Sequence, residues 1–250
     1  MPDIDLGFVV LLSVALVLGG LVKGVTGIGL PIVSTAVLSS FLPGQIVLGL
    51  LALPLLLTNL WQALRAGDPW APLRRFWPVT AALMVAIWLA ARQAAQVDSR
   101  VIYAVVGIAV ILFLVAGRLT RNIELGPRAE RWIGPIAGVA GGCLGGLSTI
   151  WGPPVVLYFL LLRLEKDEFV QTVGWVWLLT SIPLVIGYVS NGILSVDVGV
   201  WSLAAAVPAV VGFLIGQAVR DRIDEARFQA AVRLFLFVIA VNLLRRAFFA

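Results

Sequence analysis

The chain has no histidine, a single cysteine, and charge on only 12% of its residues. Each scarcity excludes something. Without imidazole there is no side chain that both ligates a transition metal and relays protons near neutral pH. The one thiol, Cys143, can form neither an internal disulfide nor a cysteine–histidine catalytic pair. It lies between small residues in "GGCLGG" and is expected to pack as a small apolar side chain. No Asp or Glu interrupts any long apolar run, so no carboxylate pair is available there for acid–base chemistry. No metal and no cofactor are expected, and the protein is not expected to be an enzyme.

What the chain does have is apolar sequence. Hydrophobic residues make up 61% of it, in runs of roughly 15 to 20, the length that crosses a hydrocarbon core as a helix. Such runs lack the alternation of an outer-membrane barrel strand. The expected fold class is all-α, a polytopic integral membrane protein with the lipid bilayer as its surroundings. The net charge of +5 does not point to nucleic acid. Basic residues fall in short connectors, where membrane topology calls for them, and none is interleaved with stacking aromatics on a soluble face. The opening "MPDID" carries no Lys or Arg ahead of the first run. A secretory signal begins with positive charge, so this run is expected to be retained.

The first apolar stretch, Leu6 to Leu42, is interrupted only by Lys23. As one helix it would be about 55 Å long, too long for one crossing. Two short helices broken near Lys23 to Gly29 are expected instead. Helices follow near 45–64, 76–95 and 100–117, then a basic connector. The order recurs with a Gly-rich stretch at 132–162 and helices near 169–189, 198–218 and 229–248. "TGIGLP" (26–31) lines up with "TIWGPP" (149–154), and Thr58-Asn59 with Thr180-Ser181. The expected organisation is one transmembrane domain over 1–250, with a first repeat at 1–119, a cytoplasmic connector at 120–131 and a second repeat at 132–250. Each repeat would hold a broken, re-entrant helix pair and three transmembrane helices.

Charge orients the halves. If each Gly-rich stretch crosses once, basic residues divide evenly between the two sides. If each is a hairpin, Arg65, Arg74, Arg75, Arg163 and the connector arginines gather on one side, opposed by Arg92, Arg100, Arg245 and Arg246. The positive-inside rule favours hairpins, an odd number of crossings per half and inverted halves.

Broken helices at membrane depth free backbone amides, and each helix restart adds the positive end of a dipole. Glycine lets a ligand approach the backbone closely. Pro31, Pro153 and Pro154 suit the first turn of a restarted helix. Two such breaks facing each other would form a small cavity of positive potential, to which Lys23 adds a fixed charge suited to a small anionic substrate. The candidate binding residues are Lys23, Gly24, Thr26, Gly27, Gly29 and Pro31 at the first break, and Gly146, Ser148, Thr149, Trp151, Gly152 and Pro153 at the second. Thr58, Asn59, Gln62, Thr180 and Ser181 join them from the helices that follow, with Thr172 nearby. Each has a plainer reading. Lys23 can snorkel to a headgroup. Gly20-x-x-x-Gly24, Gly138-x-x-x-Gly142 and Gly142-x-x-x-Gly146 are patterns that let helices pack closely. The polar side chains can serve ordinary interhelical hydrogen bonds. Trp61, Trp70, Trp77, Trp132 and Trp201 read as interfacial anchors, whereas Trp151 is placed to wall the cavity.

"GGLVKGVTGIGLP", "PGQIVLGLLALPLLLTNLWQAL" and "GGCLGGLSTIWGPPVVLYFLL" resemble the signature stretches of the TauE/SafE sulfite-exporter family, and the resemblance covers nearly the whole chain. By position, Gly24, Thr26, Gly27, Gly29 and Pro31 match the first motif, and Gly145, Gly146, Thr149, Gly152 and Pro153 the second. Leu30, where a further glycine is frequent, and Trp151 depart from it. The resemblance implies hydrophobic segments in two repeated halves and movement of sulfite, sulfoacetate or similar sulfur-containing anions. The expected function is a secondary transporter of small anions, most simply sulfite or organosulfonates, acting by alternating access in the cell inner membrane. An anion channel and a non-transporting membrane assembly protein are the alternatives. Homo-oligomerisation is left open.

Overall fold

Asp5 opens the first helix, α1 (Leu6–Thr26), its carboxylate accepting the Phe8 amide at 2.7 Å. The structure, a computed structural model, describes residues 5–119, 125–219 and 225–249, and among these it contains helices and no strand. Among the described residues five helices are long and apolar enough to cross a membrane. At 21 residues, or about 31 Å, α1 is one of them. The expectation of two short helices is thus corrected, because only the second, α2 (Leu30–Ser39), is of half length at 10 residues. The same order follows later, with α6 (Pro127–Ser148) at 22 residues and α7 (Gly152–Leu161) at 10. The other helices are α3 (Gly44–Arg65), α4 (Trp70–Gln93), α5 (Ser99–Leu119), α8 (Lys166–Ser190), α9 (Val196–Val219) and α10 (Glu225–Phe249). Both α4 and α6 begin about a turn earlier than the apolar pattern suggests. Their first turns carry Arg74, Arg75, Arg128 and Arg131, residues that read as loop but extend a helix beyond its apolar part.

Both Gly-rich stretches are antiparallel hairpins. Ser34 Oγ on α2 donates to the Ala15 carbonyl on α1 at 3.0 Å. On the other hairpin, a Cβ added to Gly141 of α6 would stand 2.8 Å from the Trp151 carbonyl, and one on Gly134 3.0 Å from the Tyr158 hydroxyl. The two hairpins enter from opposite ends of the molecule. At one end Arg75 of α4 meets Glu130 of α6 at 3.2 Å and Glu168 of α8 at 2.8 Å. Gln171 there reaches the Asp68 carbonyl at 2.6 Å. At the other end Gln45 Nε2 donates to the Val97 carbonyl at 2.6 Å. Also at that end, Arg246 bonds the Ser39 carbonyl and lies over the Tyr103 ring. Arg75 and Arg246 therefore sit at opposite ends, as the hairpin reading requires. The middle of the connector and the side chains of Arg118, Arg121, Lys166, Arg220, Arg222 and Arg227 lie outside the described residues.

The helices pack across the halves, with α1 along α9, α6 along α4, α3 against α8 and α9, and α5 against α10. Glycine makes the first two seams. A Cβ on Gly24 would lie 2.7 Å from the Gln217 amide nitrogen and 2.8 Å from Gly216 Cα; one on Gly142 would lie 2.8 Å from the Ile87 amide nitrogen. Backbones this close are what spaced small residues permit in lipid, where association relies on packing rather than on the hydrophobic effect. Cys143, next to Gly142, is turned away from this seam and is exposed. Trp61, Trp70, Trp77 and Trp132 are exposed as anchors should be, while Trp201 packs edge-on against Phe8 at 6.1 Å. Pro54 inside α3 releases the Leu50 carbonyl, and Ser202 of α9 reaches across to donate to it at 3.0 Å. This bond ties α3 to α9.

Candidate functional site

Lys23 lies in the last turn of α1, next to the break, and is only 1% exposed. Snorkelling is therefore not its role. Its position at the helix C-terminus puts the ammonium at the negative end of the α1 dipole. Nζ donates to Thr58 Oγ1 at 3.1 Å and to Asn59 Oδ1, both on α3. The Phe213 ring of α9 covers it, its centre 5.7 Å from Nζ. An ammonium has three N–H donors, and protein acceptors take two of them. Among the described residues no carboxylate lies within ion-pair distance of Lys23, and no Asp or Glu is buried. Lys23 is held by neutral groups alone.

The network continues into the second half. Asn59 Nδ2 donates to Ser181 Oγ at 2.7 Å and to the Trp177 carbonyl at 3.3 Å, and Ser181 Oγ donates to that same carbonyl at 2.7 Å. Thr58 and Thr180 each donate back to their own helix, to the Pro54 and Val176 carbonyls at 2.7 and 2.8 Å. For Thr58 this fixes the hydroxyl rotor so that a lone pair faces Lys23. Asn59 and Ser181, which the sequence aligns with each other, are thereby bonded.

The first break is shaped by glycine. Gly27 takes φ 80° as the C-cap of α1, its N–H bonded to the Lys23 carbonyl at 2.7 Å, and Gly29 takes φ 129°, so both sit where L-residues are strained. Thr26 Oγ1 bonds the Val22 carbonyl at 2.8 Å and the Ile28 carbonyl, closing the turn. Pro31 stands in the first turn of α2. At the second break Thr149, not a glycine, takes the left-handed conformation at φ 65°. Its hydroxyl lies 2.6 Å from Thr35 Oγ1 of α2, which joins the second break to the first hairpin. Ser148 Oγ caps locally, donating to the Leu144 carbonyl at 2.7 Å. Trp151 is buried and meets Trp177 edge to face at 6.1 Å. A Cβ on Gly152 would meet only the Trp177 ring, at 4.0 Å. Pro153 is in the first turn of α7.

The structure thus brings Lys23, Thr58, Asn59, Gln62 and Ser181 together beside Gly27, with Trp151 and Gly152 joined to the group through Trp177. It places Gly24 in the α1–α9 seam and Gly146 in the α4–α6 seam, where a Cβ would lie 2.7 Å from the Ala91 amide nitrogen. Thr172 is buried near the Arg75 end of α8 with no partner for its hydroxyl. Sequence reading missed Trp177, Phe213 and Thr35. Trp177 precedes Ser181 by one turn and so shares its face, a signal that was available. Phe213 carried none, since an aromatic in an apolar run looks like any other. A cleft of about 280 Å³ opens elsewhere, at the Arg246 end, lined by Gln45, Ala95, Asn191 and Gly192. Among the described residues no cluster of His, Cys, Asp and Glu is placed to hold a metal.

No curated protein and no solved structure matches the chain. The model of one protein family, described as sulfite exporter TauE/SafE, matches residues 11–243. That span contains both hairpins, both breaks and the Lys23 network, and the chain belongs to the TauE/SafE sulfite exporter family of membrane transporters.

Proposed function

We propose that this multi-pass membrane protein is a secondary transporter of small anions, sulfite or an organosulfonate of similar size, and that it works by alternating access in the cell inner membrane. The observation that carries this is Lys23, a buried cation with no carboxylate partner among the described residues, set at a helix break. A charge in so apolar a place is costly unless paired. An incoming oxyanion supplies the pairing, using the ammonium's third N–H, and so binds where the protein is otherwise electrostatically incomplete. The restarted helix α2 points its positive end at the same space.

Alternating access is supported by the hairpins entering from opposite ends and by a network that crosses between the halves at mid-depth. Rocking one half against the other, as inverted repeats do, would expose Lys23 to each side in turn. Nothing in this chemistry calls for a catalytic group or a cofactor. Charge movement itself can drive the cycle, since one elementary charge crossing 100 mV corresponds to about 2.3 kcal/mol.

The test is flux of labelled sulfite from proteoliposomes. Lys23→Met keeps an unbranched side chain one atom shorter and removes its charge, and is expected to lower flux at least tenfold while the protein stays folded in detergent. Unchanged flux would remove Lys23 from the mechanism. Unitary currents would assign a channel instead, and the absence of saturable flux in the wild type would leave a helix-packing role.

A further inference from the structure

Three buried side-chain oxygens lack a hydrogen-bond partner among the described residues: Ser39 Oγ, Thr172 Oγ1 and Gln62 Oε1. The first two are hydroxyls, which accept or donate as needed and can turn toward a carbonyl of their own helix. A carboxamide oxygen only accepts. Gln62 also differs in place. It lies one turn beyond Thr58 and Asn59 on the face of α3 that meets Lys23, and it is only 8% exposed. Its Nε2 stands 3.9 Å from the point where a Cβ on Gly27 would be. Apart from the chain next to Gly27, no other atom lies within 4 Å of that point. The missing side chain at Gly27 therefore leaves room at the break, with the Gln62 amide on its far wall, its nitrogen nearest the space, and Lys23 at its edge. Turning the amide over brings its oxygen to that wall in place of the nitrogen.

Resting on the transport reading above, this arrangement bears on what the anion must look like. A ligand with acceptor oxygens only would satisfy Lys23 and leave Gln62 Oε1 buried without a partner, which is the costly outcome for a polar atom. We propose that the first break selects a monoanion with a hydrogen-bond donor of its own, such as hydrogensulfite or a hydroxyalkanesulfonate. Lys23 holds the anionic oxygens, and Gln62, its amide turned to bring Oε1 to the break, accepts the hydrogen bond from the ligand's hydroxyl. A site built to accept from a hydroxyl rejects the analogue that lacks one, because its own acceptor is then stranded.

Ethanesulfonate and 2-hydroxyethanesulfonate carry the same charge and the same sulfonate and differ in that hydroxyl. In competition against labelled sulfite in proteoliposomes, the hydroxylated compound is expected to inhibit at concentrations at least about tenfold lower. Gln62→Met is expected to bring the two within about twofold by weakening only the hydroxylated one. Equal inhibition by both compounds in the wild type overturns the proposal, and so does a preference that survives in Gln62→Met. The wild-type comparison stands even if that variant does not fold. Should sulfite move while neither sulfonate competes, the pH profile decides. Flux must fall as hydrogensulfite loses its proton, and flux that rises with the dianion overturns the proposal. If no anion moves at all, the transport reading fails first and this selectivity with it.

Discussion

At the residue scale, one lysine sets the terms for its surroundings. Thr58, Asn59, Ser181 and the Trp177 carbonyl form a chain in which each group satisfies the next, and buried networks of this kind are worth more than their separate links. Asn59 is the junction, since its oxygen takes Lys23 and its nitrogen ties the first half to the second. Asn59→Ala should lower stability by about 2 kcal/mol, because it strands a buried donor on Lys23 and takes away the donor to Ser181 Oγ. Much of that loss should disappear in the Lys23→Met background, where no charge is left to strand. A double-mutant cycle by thermal unfolding in detergent would then give a coupling above about 1 kcal/mol, and strict additivity would mean that the two side chains do not depend on each other. Thr149 offers a second case. Its left-handed backbone, φ 65°, costs a β-branched residue about 1–2 kcal/mol. Thr149→Gly trades that strain against its bond to Thr35 and should be close to neutral. Thr35→Val loses the bond alone and should cost about 1 kcal/mol. Much of this site was legible because a charge in an apolar run stands out, as do Thr58-Asn59 and Thr180-Ser181. The Trp177 carbonyl was not legible, since every residue has one, and only the crossing of α3 with α8 makes this one an acceptor.

At the element scale, glycine divides into two uses that sequence alone had left open. Gly27 and Gly29 shape the break, with positive φ and space beside Gly27. Gly20, Gly24, Gly138, Gly142 and Gly146 join helices, with neighbouring backbone where a side chain would stand. Spacing by fours predicted the second use, but which helix each stripe meets depends on the tertiary pairing of α1 with α9 and α6 with α4. The breaks were legible from Gly, Thr and Pro together. The full length of α1 was not, because Lys23 looked like an end and is instead enclosed by Thr58, Asn59 and Phe213. The distinction is measurable. Gly24→Ala must push α1 off α9 and should destabilise by about 3 kcal/mol, the upper part of the range for overpacking. Gly199→Ala, with nothing within 4 Å of the new Cβ, should be neutral or stabilising by up to about 1 kcal/mol through helix propensity. Similar effects at both positions in an unfolding series would mean that the α1–α9 seam is loose.

At the scale of the whole molecule, the two ends differ in charge and in what holds them shut. The Arg75 end gathers most of the described basic residues and closes with a fork from Arg75 to Glu130 and Glu168, joining α4 to α6 and α8. These groups are partly exposed, so the fork contributes at most about 1 kcal/mol. That is too little to hold the fold together. The Arg246 end closes on backbone carbonyls instead, with Arg246 on Ser39 and Asn191 on Ala91. The positive-inside rule puts the Arg75 end in the cytoplasm. In that orientation the inner leaflet's negative surface attracts the basic residues, and the α6–α7 hairpin enters from the cytoplasm while α1–α2 enters from outside. A Cys143→Ser background leaves no thiol, so single cysteines report sidedness cleanly. Asp68→Cys lies at the Arg75 end and Asp197→Cys at the other, both at exposed positions. A membrane-impermeant maleimide should label Asp197→Cys in intact cells and Asp68→Cys only after permeabilisation. The reverse pattern would turn the molecule over and leave its fold untouched. Labelling of both from one side would contradict the crossing of α3 and α8 between those ends, and with it the placement of Lys23 at depth in the membrane.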